Sequence, residues 1–76
     1  MEKWEHVIVI DPDMRFGKPT IKGTRITVED ILTWLSSDMS FDDITEDFPE
    51  LTKDAIKAAL VFTAKREAMT RGLYAG

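Results

Sequence analysis

Eleven residues constrain this chain more than any others: Gly17-Lys-Pro-Thr-Ile-Lys-Gly-Thr-Arg-Ile-Thr27. Two glycines, a proline and three cations stand directly before a helix start, a density that specifies a tight, turn-rich hairpin. Lys18, Lys22 and Arg25 are left free to meet an anion, which packing alone does not require. Pro19 cannot donate to a central ladder, so its position is an edge or the start of a strand.

The chain has 76 residues, which allows one domain over 1–76. A chain of this size buries only about 60% of its unfolded surface, so the core is thin and a homodimer is expected. With no cysteine and a single histidine, His6, neither a disulfide framework nor a thiolate or histidine metal cluster can form. No apolar run reaches the roughly 18 residues of a membrane span. The first five residues lack the cationic then apolar order of a signal peptide, so a cytoplasmic location with no membrane contact is expected.

A net charge of −4 argues against a generic nucleic-acid binder, whose affinity is largely phosphate attraction. The average hides three blocks. Residues 15–25 carry four cations and no acid; residues 28–50 carry eight acids and no cation; residues 51–76 return to five cations against two acids. Charge segregated in this way steers two kinds of partner, one anionic and one cationic, although solvated helix faces give the same pattern.

Along the chain, His6-Val-Ile-Val-Ile10 is β-branched and apolar and stops at the turn residues Asp11-Pro12-Asp13. Residues 19–21 and 25–26 read as two further short strands around a Lys22-Gly23 turn. Gly23 is expected to hold a positive φ. Thr27 then caps a first helix, with Asp30 at N3 as a weak capping box and Val28, Ile31, Leu32 and Leu35 on one face. Ser40 repeats the device for a second helix with Phe41, Ile44 and Phe48 as its stripe, ended by Pro49. Thr52 caps a third helix expected to stop near Arg71, at Gly72. The whole is mainly α: a β-rich turn region over 1–27 and a helical region over 28–72. Three residues, Pro49-Glu50-Leu51, separate helices two and three, the spacing a helix-turn-helix uses and simple helical hairpins share.

Placing helix-three residues at about 100° each gathers Ile56, Ala59 and Leu60 on one side, with Ala55 and Phe62 widening the apolar face. Lys53, Asp54, Lys57 and Lys65 share another side and form a sparse basic stripe suited to phosphates. That sector has no Arg, Asn or Gln to read a base edge before Arg66, which falls elsewhere. The glycine segment is not a nucleotide-phosphate loop, because five residues rather than four separate its glycines and Thr24 follows directly. Asp42, Asp43, Glu46 and Asp47 are ordinary acids for an exposed helix rather than a metal site. No catalytic residues, cofactor or metal ligands are expected, and hence no enzyme.

The order Ile10-Asp-Pro, Gly17-Lys-Pro-Thr-Ile-Lys-Gly-Thr-Arg-Ile, Phe48-Pro-Glu-Leu-Thr and Ala58-Ala-Leu resembles a family of short prokaryotic proteins catalogued as domain of unknown function 433. The resemblance covers nearly the whole chain. It implies a three-helix, homeodomain-like helix-turn-helix behind a small N-terminal β-hairpin, and a VapB-type antitoxin that neutralises a PIN-domain ribonuclease toxin and represses its own operon. The DNA contacts then expected are Lys18, Lys22, Arg25, Lys53, Lys57 and Lys65 on operator DNA. Antitoxins commonly bind their toxin with a tail, and Gly76 lies only four residues beyond the expected helix stop at Gly72. Toxin contact is therefore expected on the folded domain, where Asp42, Asp43, Glu46 and Asp47 have the charge to mimic nucleic acid before a basic nuclease surface. The other reading is a protein–protein adaptor without DNA contact.

Overall fold

The computed structural model describes the backbone of residues 6–74 and the side chains of residues 6–66. Its elements in chain order are β1 (Ile8–Val9), β2 (Thr20–Ile21), α1 (Val28–Ser36), α2 (Phe41–Asp47) and α3 (Lys53–Tyr74). The expected strand over 6–10 is thus two residues long. In the antiparallel register, Ile8 opposes Ile21 and Val9 opposes Thr20, which brings Ile10 opposite Pro19. Proline has no N–H to give, so the ladder stops there.

β2 also turns back on the segment that follows it, through a Thr20–Thr27 bridge and an Ile21 N–H bond to the Ile26 carbonyl at 2.8 Å. The short strand expected at 25–26 does not form; a single bridge at Thr27 takes its place. The turn between closes with Thr24 N–H on the Ile21 carbonyl at 3.0 Å, and Gly23 takes φ +82°, the value a type II turn needs at its third residue.

Both expected capping boxes form in full. Thr27 Oγ1 accepts from Asp30 N–H while Asp30 accepts from Thr27 N–H, and Ser40 and Asp43 do the same for α2. α1 ends without glycine. Asp38 takes the left-handed conformation at φ +69°, and the Asp38 and Met39 N–H groups reach the Leu35 and Trp34 carbonyls, the two bonds of a Schellman motif. The helix expected to stop at Gly72 runs on to Tyr74. A glycine inside a helix costs about 1 kcal/mol but does not end it.

α3 is the spine on which both other helices pack, and one isoleucine from each helix, Ile31, Ile44 and Ile56, is fully buried between them. Ala55, Ala58 and Ala59 give α3 a small-residue face that lets α1 and α2 approach, while Val7, Ile8 and Ile21 seal the hairpin onto the same core. Leu60, expected inside, is exposed. The buried sector of α3 centres between Ala59 and Phe62 at about 210°, which leaves Leu60, at about 340°, on the rim. Trp34 and Phe48 stack with ring centroids 4.1 Å apart and planes within 10°, tying the end of α1 to the end of α2. Among the described residues no helix is long and apolar enough to cross a membrane.

Candidate nucleic-acid and partner interface

Between the C-cap Phe48 and the N-cap Thr52 lie the three expected residues Pro49, Glu50 and Leu51. Leu51 N–H bonds the Phe48 carbonyl at 2.9 Å, and Thr52 Oγ1 accepts from Ala55 N–H at 3.0 Å. The turn is therefore fixed at both ends, and α3 leaves it with Lys53 and Lys57 one turn apart on its solvent side.

The structure does not leave all the candidate cations equal. Lys53 Nζ lies 2.6 Å from Asp42 on α2, and Lys18 Nζ lies 3.2 Å from Glu29 on α1. Lys22, Arg25, Lys57 and Lys65 are exposed and form no ion pair among the described residues. Lys22 stands with His6 at the edge of a shallow recess of about 240 Å³, opposite Glu50 and Thr52, so the hairpin turn and the start of α3 face one another. Lys57 is one turn beyond that end, whereas Lys65 lies about 18 Å along the axis from Lys53 and belongs to a separate part of the surface.

The acids divide likewise. Asp43 is consumed by the cap of α2 and Asp42 by Lys53, which leaves Glu46 and Asp47 as the outward charges of the helix. Among the described residues no group of three or more His, Asp or Glu side chains is close enough to hold a metal ion.

Two features escaped sequence reasoning. One is Arg15, whose guanidinium donates to the Arg25 carbonyl at 2.7 Å and lies 3.3 Å from the Asp30 carboxylate, clamping the connection between β1 and β2 onto the start of α1. Partial burial raises the Asp30 pKa, but hydrogen bonds from Thr27 and the charge of Arg15 outweigh it and hold the carboxyl below its ordinary value of 3.8. The acid-free cation run held a signal for Arg15, though not for its partner. The other feature is Phe16, 97% exposed, in a left-handed turn where Arg15, Phe16 and Gly17 have φ of 48°, 60° and 77°. Between α1 and α3 lies an apolar groove of about 350 Å³ walled by Pro19, Val28, Leu32, Phe62 and Thr63, with Glu29 and Arg66 at its border. Arg66 lies over the Phe62 ring at 5.4 Å.

A two-stranded hairpin bound to three helices, with a capped turn between the last two, defines a small mainly helical domain. Residues 8–63 match the family model described as a protein of unknown function, DUF433, and the chain belongs to that family. The fold is similar to that in the crystal structure of a DUF433 member protein from Anabaena variabilis ATCC 29413. The TM-score is 0.77 at 21% identity, over 92% of this chain and 69% of that one. No curated protein matches the chain.

Proposed function

We propose that this chain is an antitoxin-like regulator, a cytoplasmic homodimer that binds operator DNA and neutralises a PIN-type ribonuclease, without enzymatic activity of its own. The observation that carries the reading is the capped α2–turn–α3 arrangement, with three residues between caps and Lys57 on the outer face of α3, backed by Lys22 on the facing hairpin turn. Lys53 joins this surface by exchanging an exposed carboxylate for a phosphate, whereas Lys18 is held on Glu29 at the border of the α1–α3 groove. Exposed ion pairs are worth only about 0–1 kcal/mol, so the exchange costs little. Glu46 and Asp47, exposed on α2, are the acidic contact for a basic nuclease.

The reading is tested by titrating the protein with duplex DNA from upstream of its own coding sequence across a salt series. Phosphate contacts make affinity fall with salt, and Lys57→Ala with Lys22→Ala weakens binding evenly across sequences and flattens the slope. A loss confined to one sequence contradicts a backbone role for these lysines. Affinity purification with nuclease added identifies the protein partner by mass spectrometry, and a PIN-type ribonuclease is the expected catch.

The adaptor reading keeps one specific observation in its favour. The acids of α2 flank the start of α3, and Asp42 neutralises Lys53 where a recognition helix meets DNA. Protein capture without salt-dependent DNA binding decides for the adaptor.

A further inference from the structure

We infer that the face carrying Phe16 and the α1–α3 groove is a two-fold contact with a second copy of this chain, in which Phe16 of each protomer seats in the groove of the other. This rests on the homodimer part of the reading above and stands apart from DNA binding.

An exposed aromatic alone is unremarkable, but this one is held out by the backbone. Arg15 and Phe16 sit in the left-handed region, which is strained for a residue other than glycine. The conformation persists because its surroundings enforce it. Gly17 N–H bonds the Met14 carbonyl at 3.0 Å, Lys18 N–H bonds the Arg15 carbonyl at 3.1 Å, and the Arg15 side chain is clamped to Arg25 and Asp30. Strain maintained at a fully exposed apolar side chain points to a contact that uses it.

The groove has the capacity for that contact. A cavity of roughly 150 Å³ takes a benzene ring, and this recess of about 350 Å³ is walled by Val28, Leu32 and Phe62. Pro19, three residues beyond Phe16, forms part of the wall, and Lys18 between them pairs with Glu29 at the border of the groove, which brings the projection and the recess next to one another. A patch carrying both is self-complementary, as an isologous pair requires, and closes at two copies.

Charge agrees with shape. The projection is flanked by the cations Arg15 and Lys18, and the groove is bordered by Glu29, whose side chain is 70% exposed. Lys18 reaches Glu29 at 3.2 Å within its own chain, and because both side chains are exposed, Lys18 can exchange its own Glu29 for the partner's Glu29 across a two-fold axis at little cost. Nucleic acid is the less favoured occupant, because the exposed Glu29 carboxylate at the border of the groove repels phosphate.

The chain has no cysteine, which makes a specific cross-link test direct. Phe16→Cys and Thr63→Cys proteins, Thr63 being part of the groove wall, are mixed and mildly oxidised, with Lys57→Cys replacing Thr63→Cys as control. The expected product is a covalent heterodimer of the first pair well above the control; equal yields from both overturn the proposal. The wild-type mass is expected at twice the 8.7 kDa of one chain. Phe16→Gly, which suits the left-handed backbone and keeps the far-UV spectrum, is expected to fall to the single-chain mass. A wild type that is monomeric at every concentration removes the homodimer together with this surface. A Phe16→Gly protein that remains dimeric removes this surface alone, and a monomeric wild type whose DNA affinity depends on Phe16 transfers the residue to nucleic acid.

Discussion

Gly23 shows how one residue decides a turn. A Cβ built there meets nothing within 4 Å, so the cost of Gly23→Val comes from φ +82° and not from a clash. The expected loss is about 1–2 kcal/mol, read as a melting temperature lower by roughly 5–15 °C. An unchanged melt refutes the assigned turn. Asp30 supplies a pH-dependent counterpart. Its folded pKa lies below 3.8, so the folded state holds the proton less tightly than the unfolded chain does. The stability this contributes is present in full above the ordinary carboxylate value and is lost as pH falls through the depressed one. Urea denaturation of wild type and Asp30→Asn is expected to show a gap at pH 7 that narrows below about pH 4; a gap constant with pH excludes the linkage. The positive φ at Gly23 was legible from residue type. The Asp30 pair was not, because its partner Arg15 stands 15 residues earlier in the chain.

Among the helices, starts were easier to read than ends. Thr27, Ser40 and Thr52 each accept from a backbone N–H three residues on, an interaction confined to one turn and therefore visible in sequence. The end of α1 was hidden because Asp38 does the work that glycine commonly does. Asp38→Gly is expected to raise stability by about 1 kcal/mol or somewhat less, since the left-handed penalty disappears while both Schellman bonds remain. A lower denaturation midpoint reveals a further role for the Asp38 carboxylate. Periodicity found most of the buried face of α3 but misplaced Leu60, because the spacing of apolar residues does not say where neighbouring helices sit. Ala55, Ala58 and Phe62 complete that face on the side away from Leu60.

For the whole molecule, the charge blocks are the feature that tertiary structure rearranges most. Residues 15–25 and 28–50 read as opposite and separate, yet Arg15–Asp30 and Lys18–Glu29 join them, and Lys53–Asp42 joins the acidic block to α3. The acidic surface left for a basic partner is chiefly Glu46 and Asp47. Reversing all four α2 acids also destroys the Ser40–Asp43 cap, so the informative variant is Glu46→Lys with Asp47→Lys. Calorimetric titration with the co-purified partner is expected to show affinity lowered by tenfold or more, about 1.4 kcal/mol, with the thermal melt nearly unchanged. Unchanged affinity removes α2 as the contact.

Sequence alone determined the local grammar of this protein: the Gly23 turn, the three helix caps, the three-residue spacer and the Pro19 limit on the sheet. Each rests on bonds or steric limits among residues a few positions apart. Which of the described cations stay unpaired, which side of α3 is buried and how Phe16 is held out by a left-handed turn were decided only by the tertiary structure. They depend on groups such as Lys18 and Glu29, 11 residues apart, whose meeting follows from how the hairpin and helices pack.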